Sequence, residues 1–453
     1  MKESLAAMDD KDVHLKKDVH LIDIVSIGLG TAVGVSIFSV VAPTAALAGP
    51  GMLLAMAAAT LPMILFAIVY AFMGAAAPVS GASYEWSRRY IHPFVGFFIA
   101  WLRIAGSTAA MVVLTVVLIS YLGMIVAMPL KPAMFVVFSI VFIANLLGIS
   151  VAAKGQTAML IVLLATCVIF VFISAPKVDF HNFSPLLSKG WGGVIAAIPL
   201  MITLFLGIES ATEVGGEIKH PGRNIPLGIA ISVILTTLVY FGVAASALGV
   251  LGEERLAASS APLLDTAVAA VGDIGKPLII VSAFVAIGSS INATFMIFTR
   301  FLYAMGKTGA LPSVLGQVHS RFHTPHWACV MAYALCCAGL LLPSNLVFLF
   351  LAVNIPTLLK YAATSLSAIN LLRKEPKLYD AASFRPGRRV IDLLAALGII
   401  SALGIIVMGL SADWRPYAVI GGWAVAGVIY YVVRIGGRRK AAVEAPPAEE
   451  GAG

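Results

Sequence analysis

Runs of about 20 apolar residues recur along almost the whole chain, and they decide what it can fold into. The 453 residues are 60% hydrophobic and only 11% charged, with a mean hydropathy of +0.98. A soluble domain carries about 25% charged residues. A chain this poor in charge cannot cover a water-facing surface, whereas hydrocarbon contact removes the need to. The reading is an all-α integral membrane protein, and one large soluble core is excluded.

The apolar runs predict 12 transmembrane helices at 21–48, 53–77, 94–127, 132–150, 157–175, 193–218, 226–251, 277–306, 327–343, 345–370, 390–411 and 415–434. An even number of spans returns both termini to one side. The N-terminal segment and every second loop hold 22 of the 30 Lys and Arg, including Lys17, Arg88, Arg89, Lys154, Lys219, Arg300 and Arg321. The other loops hold six: Lys131, Lys177, Lys189, Arg255, Lys276 and Arg415. Cytoplasmic loops are the positive ones, so the expected location is the cell inner (cytoplasmic) membrane, multi-pass, with both termini cytoplasmic. The net charge of +8 is then membrane topology, and nucleic acid drops out as a partner. Residues 1–20 are polar and lack the apolar core of a cleaved signal peptide, so they read as a cytoplasmic lead-in. Residues 435–453 read as a disordered cytoplasmic tail rich in Pro, Ala and Glu. Cys167, Cys329, Cys336 and Cys337 all fall in apolar segments and read as small buried hydrophobes. The His residues lie mostly in loops, with no metal-binding spacing.

Two predicted helices carry weak points. The first contains Gly28, Gly30 and Gly34, then Pro43 and Gly49-Pro50-Gly51; the sixth contains Gly207 followed by a formal charge, Glu209. Unpaired backbone in lipid costs several kcal/mol, so irregular backbone persists only in protein or beside a cavity. Gly34 and Gly207 sit at matching depths, five helices apart. That is the pattern of an inverted repeat with discontinuous helices 1 and 6 meeting at the midplane. Half-helix ends offer N–H groups to a carboxylate and carbonyls to an ammonium, which suits a zwitterion. The alternative is that the two glycines only let helices pack closely.

At these residues the sequence resembles the amino acid–polyamine–organocation (APC) family of transporters. The resemblance rests on Gly34-Val35-Ser36-Ile37-Phe38 with Ala48-Gly49-Pro50-Gly51, on Pro78 to Tyr84, on Asn145-Leu146-Leu147-Gly148, on Phe205 to Ser210, on Glu217 to Pro226, and on Arg300 to Met305 with Gly309 to Pro312. It implies a LeuT-like five-plus-five inverted repeat: helices 1–5 over 21–175, helices 6–10 over 176–370, and two further helices over 371–434. It also implies a substrate-binding set of Gly34, Val35, Ser36 and Ile37 on helix 1; Ala100, Ile104 and Ser107 on helix 3; and Thr203, Phe205, Leu206, Gly207 and Glu209 on helix 6. Two positions depart from the family pattern. Ser36 replaces a second glycine, and Leu163 stands where many members carry a coupling lysine, with Lys154 nearby.

Charge inside the membrane marks function by default. Glu209 is a candidate for gating or for pairing with a cationic substrate group; the alternative is a carboxylate capping the second half-helix. Arg103 lies about 15 Å into helix 3, on the stripe of Ala100, Ile104 and Ser107. It is a candidate to pair with Glu209 or with an anionic substrate group, against snorkelling or a partner elsewhere in the bundle. Lys360 is a candidate coupling cation or a member of a structural ion pair. Ser289, Ser290 and Asn292 on helix 8 suit a sodium site or interhelical hydrogen bonds.

The expectation is a secondary active transporter, a permease or exchanger of small amino acids or related amines working by alternating access. No cofactor is implied, and the partners are the substrate, the lipid bilayer and H+ or Na+ as coupling ion. A polyamine or cationic amino acid exchanger using Glu209 is the alternative. An enzyme would need a catalytic set and a channel a continuous polar stripe; the sequence displays neither.

Overall fold

The computed structural model describes residues 17–32, 35–123, 126–147, 149–259, 261–410 and 413–436, and within these all regular elements are helical. The helices are α1 (Leu21–Ala32), α2 (Val35–Ser39), α3 (Val41–Ala48), α4 (Met52–Ala76), α5 (Ala82–Trp86), α6 (Pro93–Leu122), α7 (Leu130–Leu146), α8 (Ile149–Ser174) and α9 (Gly190–Met201). There follow α10 (Pro221–Ala258), α11 (Pro262–Val271), α12 (Gly275–Lys307), α13 (His326–Gly339), α14 (Leu346–Lys374), α15 (Pro376–Ala381), α16 (Arg388–Gly409) and α17 (Arg415–Tyr430). Among the described residues, eight helical stretches are long and apolar enough to cross a membrane. Shorter apolar helices lie at Leu130–Leu146, Ile161–Lys177, Gly190–Leu204 and His326–Gly339. The protein is a multi-pass membrane protein.

Helix pairs build the interior. α14 packs on α16 and α6, α10 on α4 and α1, and α12 on α6 and α8. Small residues let these axes approach, as expected where lipid provides no hydrophobic drive between helices. At Gly228 of α10, a Cβ would come within 2.3 Å of the Ile24 side chain on α1.

Four departures from the sequence expectation have physical causes. Helix 3 ends at Leu122 rather than 127. The chain between the predicted seventh and eighth spans is not a plain loop. It bends at Gly252 (φ 72°) and forms α11. Helix 6 was expected to resume after Gly207 and run to 218. Instead α9, which contains Pro199, ends at Met201 and gives way to 3-10 turns at Ile202–Leu204, Ser210–Glu213 and Gly215–Glu217. There is thus no second α-helical half, and the expected half-helix N-terminus is replaced by tight turns. Arg300, counted above as a loop cation, lies inside α12 and is 1% exposed.

The turns after α9 are stitched to distant segments. Asp18 and Val19 donate main-chain hydrogen bonds to the Glu217 carbonyl, and Lys219 returns one to Val19. Gly81 N donates to the Glu213 carbonyl at 2.8 Å. Backbone that has left the helix thereby satisfies its polar groups within protein.

Candidate functional site

The interruption at 205–209 borders a cavity of about 110 Å³, room on the scale of about eight water molecules. α6, α12 and α14 wall it, together with Thr31 and Ser36 of the N-terminal helices. Its lining includes the apolar side chains of Val113, Leu114, Leu206, Ile297 and Phe350 and the polar ones of Ser36, Thr203, Glu209, Arg103 and Lys360.

Gly207 makes the interruption sterically feasible. Its φ is 105°, a region L side chains rarely adopt, and a Cβ there would lie 2.4 Å from Thr31 Cγ2. Its freed N–H donates to Tyr361 Oη at 3.2 Å. Tyr361 Oη in turn donates to Glu209 Oε2 at 2.6 Å, while Lys360 Nζ donates to Glu209 Oε1 at 2.5 Å. Glu209 and Lys360 are each 2% exposed. Glu209 makes no capping hydrogen bond to the turn that follows, so its carboxylate faces α14 instead.

A second pair adjoins the first. Arg103 of α6 donates to Glu213 Oε1 at 2.7 Å and to Ser83 Oγ at 2.5 Å. Ser83 N donates back to Glu213 Oε2 at 3.3 Å, and the guanidinium lies 4.6 Å from the Phe301 ring centroid. The expected pairing of Arg103 with Glu209 is therefore not formed; Glu213 takes that role. A third pair, Arg300 with Glu217, is formed at 3.1 and 3.3 Å, and Arg300 also donates to Thr299 Oγ1 at 3.0 Å. Three glutamates spaced four apart are each met by a cation from a different helix. Their formal charges cancel.

Of the other sequence candidates, Ser36, Ser107, Thr203, Leu206 and Gly207 line the cavity. Ser36 Oγ donates to the Thr203 carbonyl at 3.3 Å, and Asn354 Nδ2 to Thr203 Oγ1 at 3.1 Å. Ile37, Ala100, Ile104 and Phe205 lie in the packed core outside that lining. Phe205 stacks edge-on against Tyr240 at 5.8 Å. Gly34 and the side chains of Val35 and Lys154 lie outside the described residues. Leu163 is fully buried in α8. Ser290 donates to the Gly30 carbonyl and Asn145 Nδ2 to Asn292 Oδ1 at 2.9 Å, so these two positions on α12 make interhelical hydrogen bonds. Tyr240 Oη takes the Ala32 carbonyl at the end of α1, at 2.5 Å.

Sequence reasoning missed Glu213, Ser83 and Tyr361. The signal for Glu213 was present: Glu209, Glu213 and Glu217 recur every four residues beside an apolar run, opposite three cations inside apolar helices. Ser83 and Tyr361 carry no such mark.

The comparisons with known proteins agree with this architecture. The branched-chain amino acid permease BcaP of Bacillus subtilis (strain 168) is 27% identical over 463 aligned residues, covering 95% of each chain. The methylthioribose transporter of the same organism is 25% identical over 452, again 95% of each. Its aspartate-proton symporter is 24% identical over 351, 72% of this chain and 67% of the relative. A profile of the amino acid permease family matches residues 20–433, bearing out the APC resemblance and leaving only the two ends of the chain uncovered. This protein belongs to the amino acid permease family, membrane transporters rather than enzymes.

Proposed function

We propose that the protein is a secondary active transporter that carries small neutral amino acids by alternating access, with the substrate bound in the cavity beside Gly207. The observation that carries this reading is the cavity itself. It combines a polar, interrupted backbone with an apolar wall, the two halves of an aliphatic zwitterion. The names of BcaP and the aspartate-proton symporter support an amino acid as substrate. The cancelled charges favour a neutral one, and the size of about 110 Å³ favours a small one. Under this reading the chain has 12 spans, with 21–175 and 176–370 as inverted repeats and 371–434 as two added helices. Both termini are cytoplasmic, and an H+ or Na+ gradient drives uptake. The substrate contacts are Ser36, Ser107, Thr203, Leu206, Gly207 and Glu209, joined by Gly34, Val35, Ile37, Ala100, Ile104 and Phe205 as the family pattern implies.

The exchanger of cationic substrates draws no support from the site, because the carboxylate it needs is already held by Lys360 and Tyr361. A thermal-shift screen of purified protein against amino acids, amines and polyamines tests the substrate class. Stabilisation by alanine or leucine is expected; stabilisation by none of the panel sinks the reading. Uptake into liposomes with an imposed pH or Na+ gradient then identifies the coupling ion.

A further inference from the structure

We propose that Lys360 is a tethered occupant of Glu209: its ammonium fills the place a cationic substrate group would take, and so holds this permease to substrates without net charge. The proposal rests on the reading of the cavity as the substrate site.

The three buried ion pairs differ in what surrounds them. In the pair of Glu209 with Lys360, both partners line the cavity. Arg103 also borders it, but the guanidinium is pinned by Glu213, Ser83 and the face of Phe301. Arg300 and Glu217 do not border it. Lys360 is held more simply. Its ammonium donates to Glu209 at 2.5 Å and otherwise sits by the rings of Tyr361 and Tyr70, at 4.8 and 5.5 Å. A primary ammonium on a flexible alkyl stem is a compact point charge. It is also the group that ends the side chain of lysine or ornithine, or an alkylamine. The protein therefore carries, covalently attached and already bound, the same chemical group that a cationic substrate would bring.

Two consequences follow. With Lys360 in place, Glu209 offers no unmatched charge, and a second ammonium entering the cavity would meet the first beside an already matched carboxylate, where like charges repel. With Lys360 shortened, a buried carboxylate loses its counter-charge, and the space of the stem opens beside the cavity. A buried charge left unpaired is strongly unfavourable, and the carboxyl neutralises by taking up a proton unless another cation reaches it; an ammonium that binds there recovers part of that deficit. The aromatic rings of Tyr70 and Tyr361 remain to face the incoming ammonium.

The test uses the full-length protein, purified and reconstituted in liposomes, with binding of L-leucine, L-ornithine and n-propylamine measured on wild type and on Lys360→Ala. The wild type is expected to prefer L-leucine to L-ornithine by at least about tenfold. Lys360→Ala is expected to bind L-ornithine at least about tenfold more tightly than wild type does. n-Propylamine, which replaces the deleted atoms, competes with L-ornithine in the variant and has no effect on wild type. Adding Glu209→Gln to the variant removes the gain. A folded, monodisperse Lys360→Ala with the wild-type ratio of leucine to ornithine affinity overturns the proposal and leaves the substrate site standing. A wild type that binds neither amino acid overturns the site and the proposal together. If Lys360→Ala does not stay folded without ligand, its folded fraction is measured with and without each amine. Recovery of its folded fraction by L-ornithine or n-propylamine supports the proposal, and equal recovery with and without them overturns it.

Discussion

Two of the ion pairs on the segment 209–217 are almost equally buried yet have different surroundings. Arg300 with Glu217 is a two-bond contact with each side chain 1% exposed, sealed among α12 and the turns after α9. Lys360 with Glu209 is a single short contact, 3% exposed on each side, that opens onto the cavity. The desolvation cost is similar for both, and neither is strong evidence for stability by itself. What differs is access: the first pair does not border the cavity and the second does, so exchange of one partner for a group from outside is the proposal for the second pair alone.

The largest expected effect tests the sealed pair. Arg300→Met leaves Glu217 charged and buried, and should destabilise the protein by about 3–5 kcal/mol. Thermal unfolding in detergent should show this, with no recovery on adding amines. Joining Glu217→Gln to Arg300→Met should restore much of the loss. If the single variant unfolds at the wild-type temperature, the pair is not as enclosed as its geometry indicates.

Lys360→Ala should cost a comparable amount without ligand, but the loss should shrink as L-ornithine or n-propylamine is titrated in. Thermal shift against amine concentration separates the two pairs, and identical behaviour of Arg300→Met and Lys360→Ala would erase the distinction.

Gly207→Ala is next. The φ of 105° and the 2.4 Å approach to Thr31 Cγ2 predict about 1–3 kcal/mol of strain. It should weaken substrate binding as well as stability, because relief requires moving the turn that borders the cavity. Ser36→Ala removes one neutral hydrogen bond to the Thr203 carbonyl at 3.3 Å. A loss of about 0.5–1.5 kcal/mol in substrate affinity is expected, readable by isothermal titration, with little change in unfolding temperature.

The smallest effect concerns a pair at the surface. Arg89 and Glu375 form two hydrogen bonds at 2.8 and 2.9 Å, with Arg89 52% exposed. Arg89→Gln should cost no more than about 1 kcal/mol, and less at high salt. A larger loss would mean that exposure is a poor guide to the worth of these pairs, the buried ones included.

The sequence by itself determined that the chain lives in a membrane and where most of its helices begin and end, and it marked Gly207 as either an interruption or a point of close helix packing. These follow from local composition: in hydrocarbon each segment must be apolar and must satisfy its own backbone. It also displayed three charges that matter, Arg103, Glu209 and Lys360, because a charge within an apolar run is conspicuous, whereas Arg300 read as a loop cation. Only the tertiary structure decided who pairs with whom. Glu209 meets Lys360 across 151 positions and Glu213 meets Arg103 across 110, so no local pattern could distinguish the observed pairing from Arg103 with Glu209. The same holds for the turns after Gly207. Apolar periodicity favours a continued helix there, but the chain is held open by hydrogen bonds from Tyr361, Ser83 and the N-terminal segment, which come from elsewhere in the fold. The weak point at Gly207 was legible. The paired carboxylate beside it, at the edge of the cavity, emerges only when α14 is packed against it.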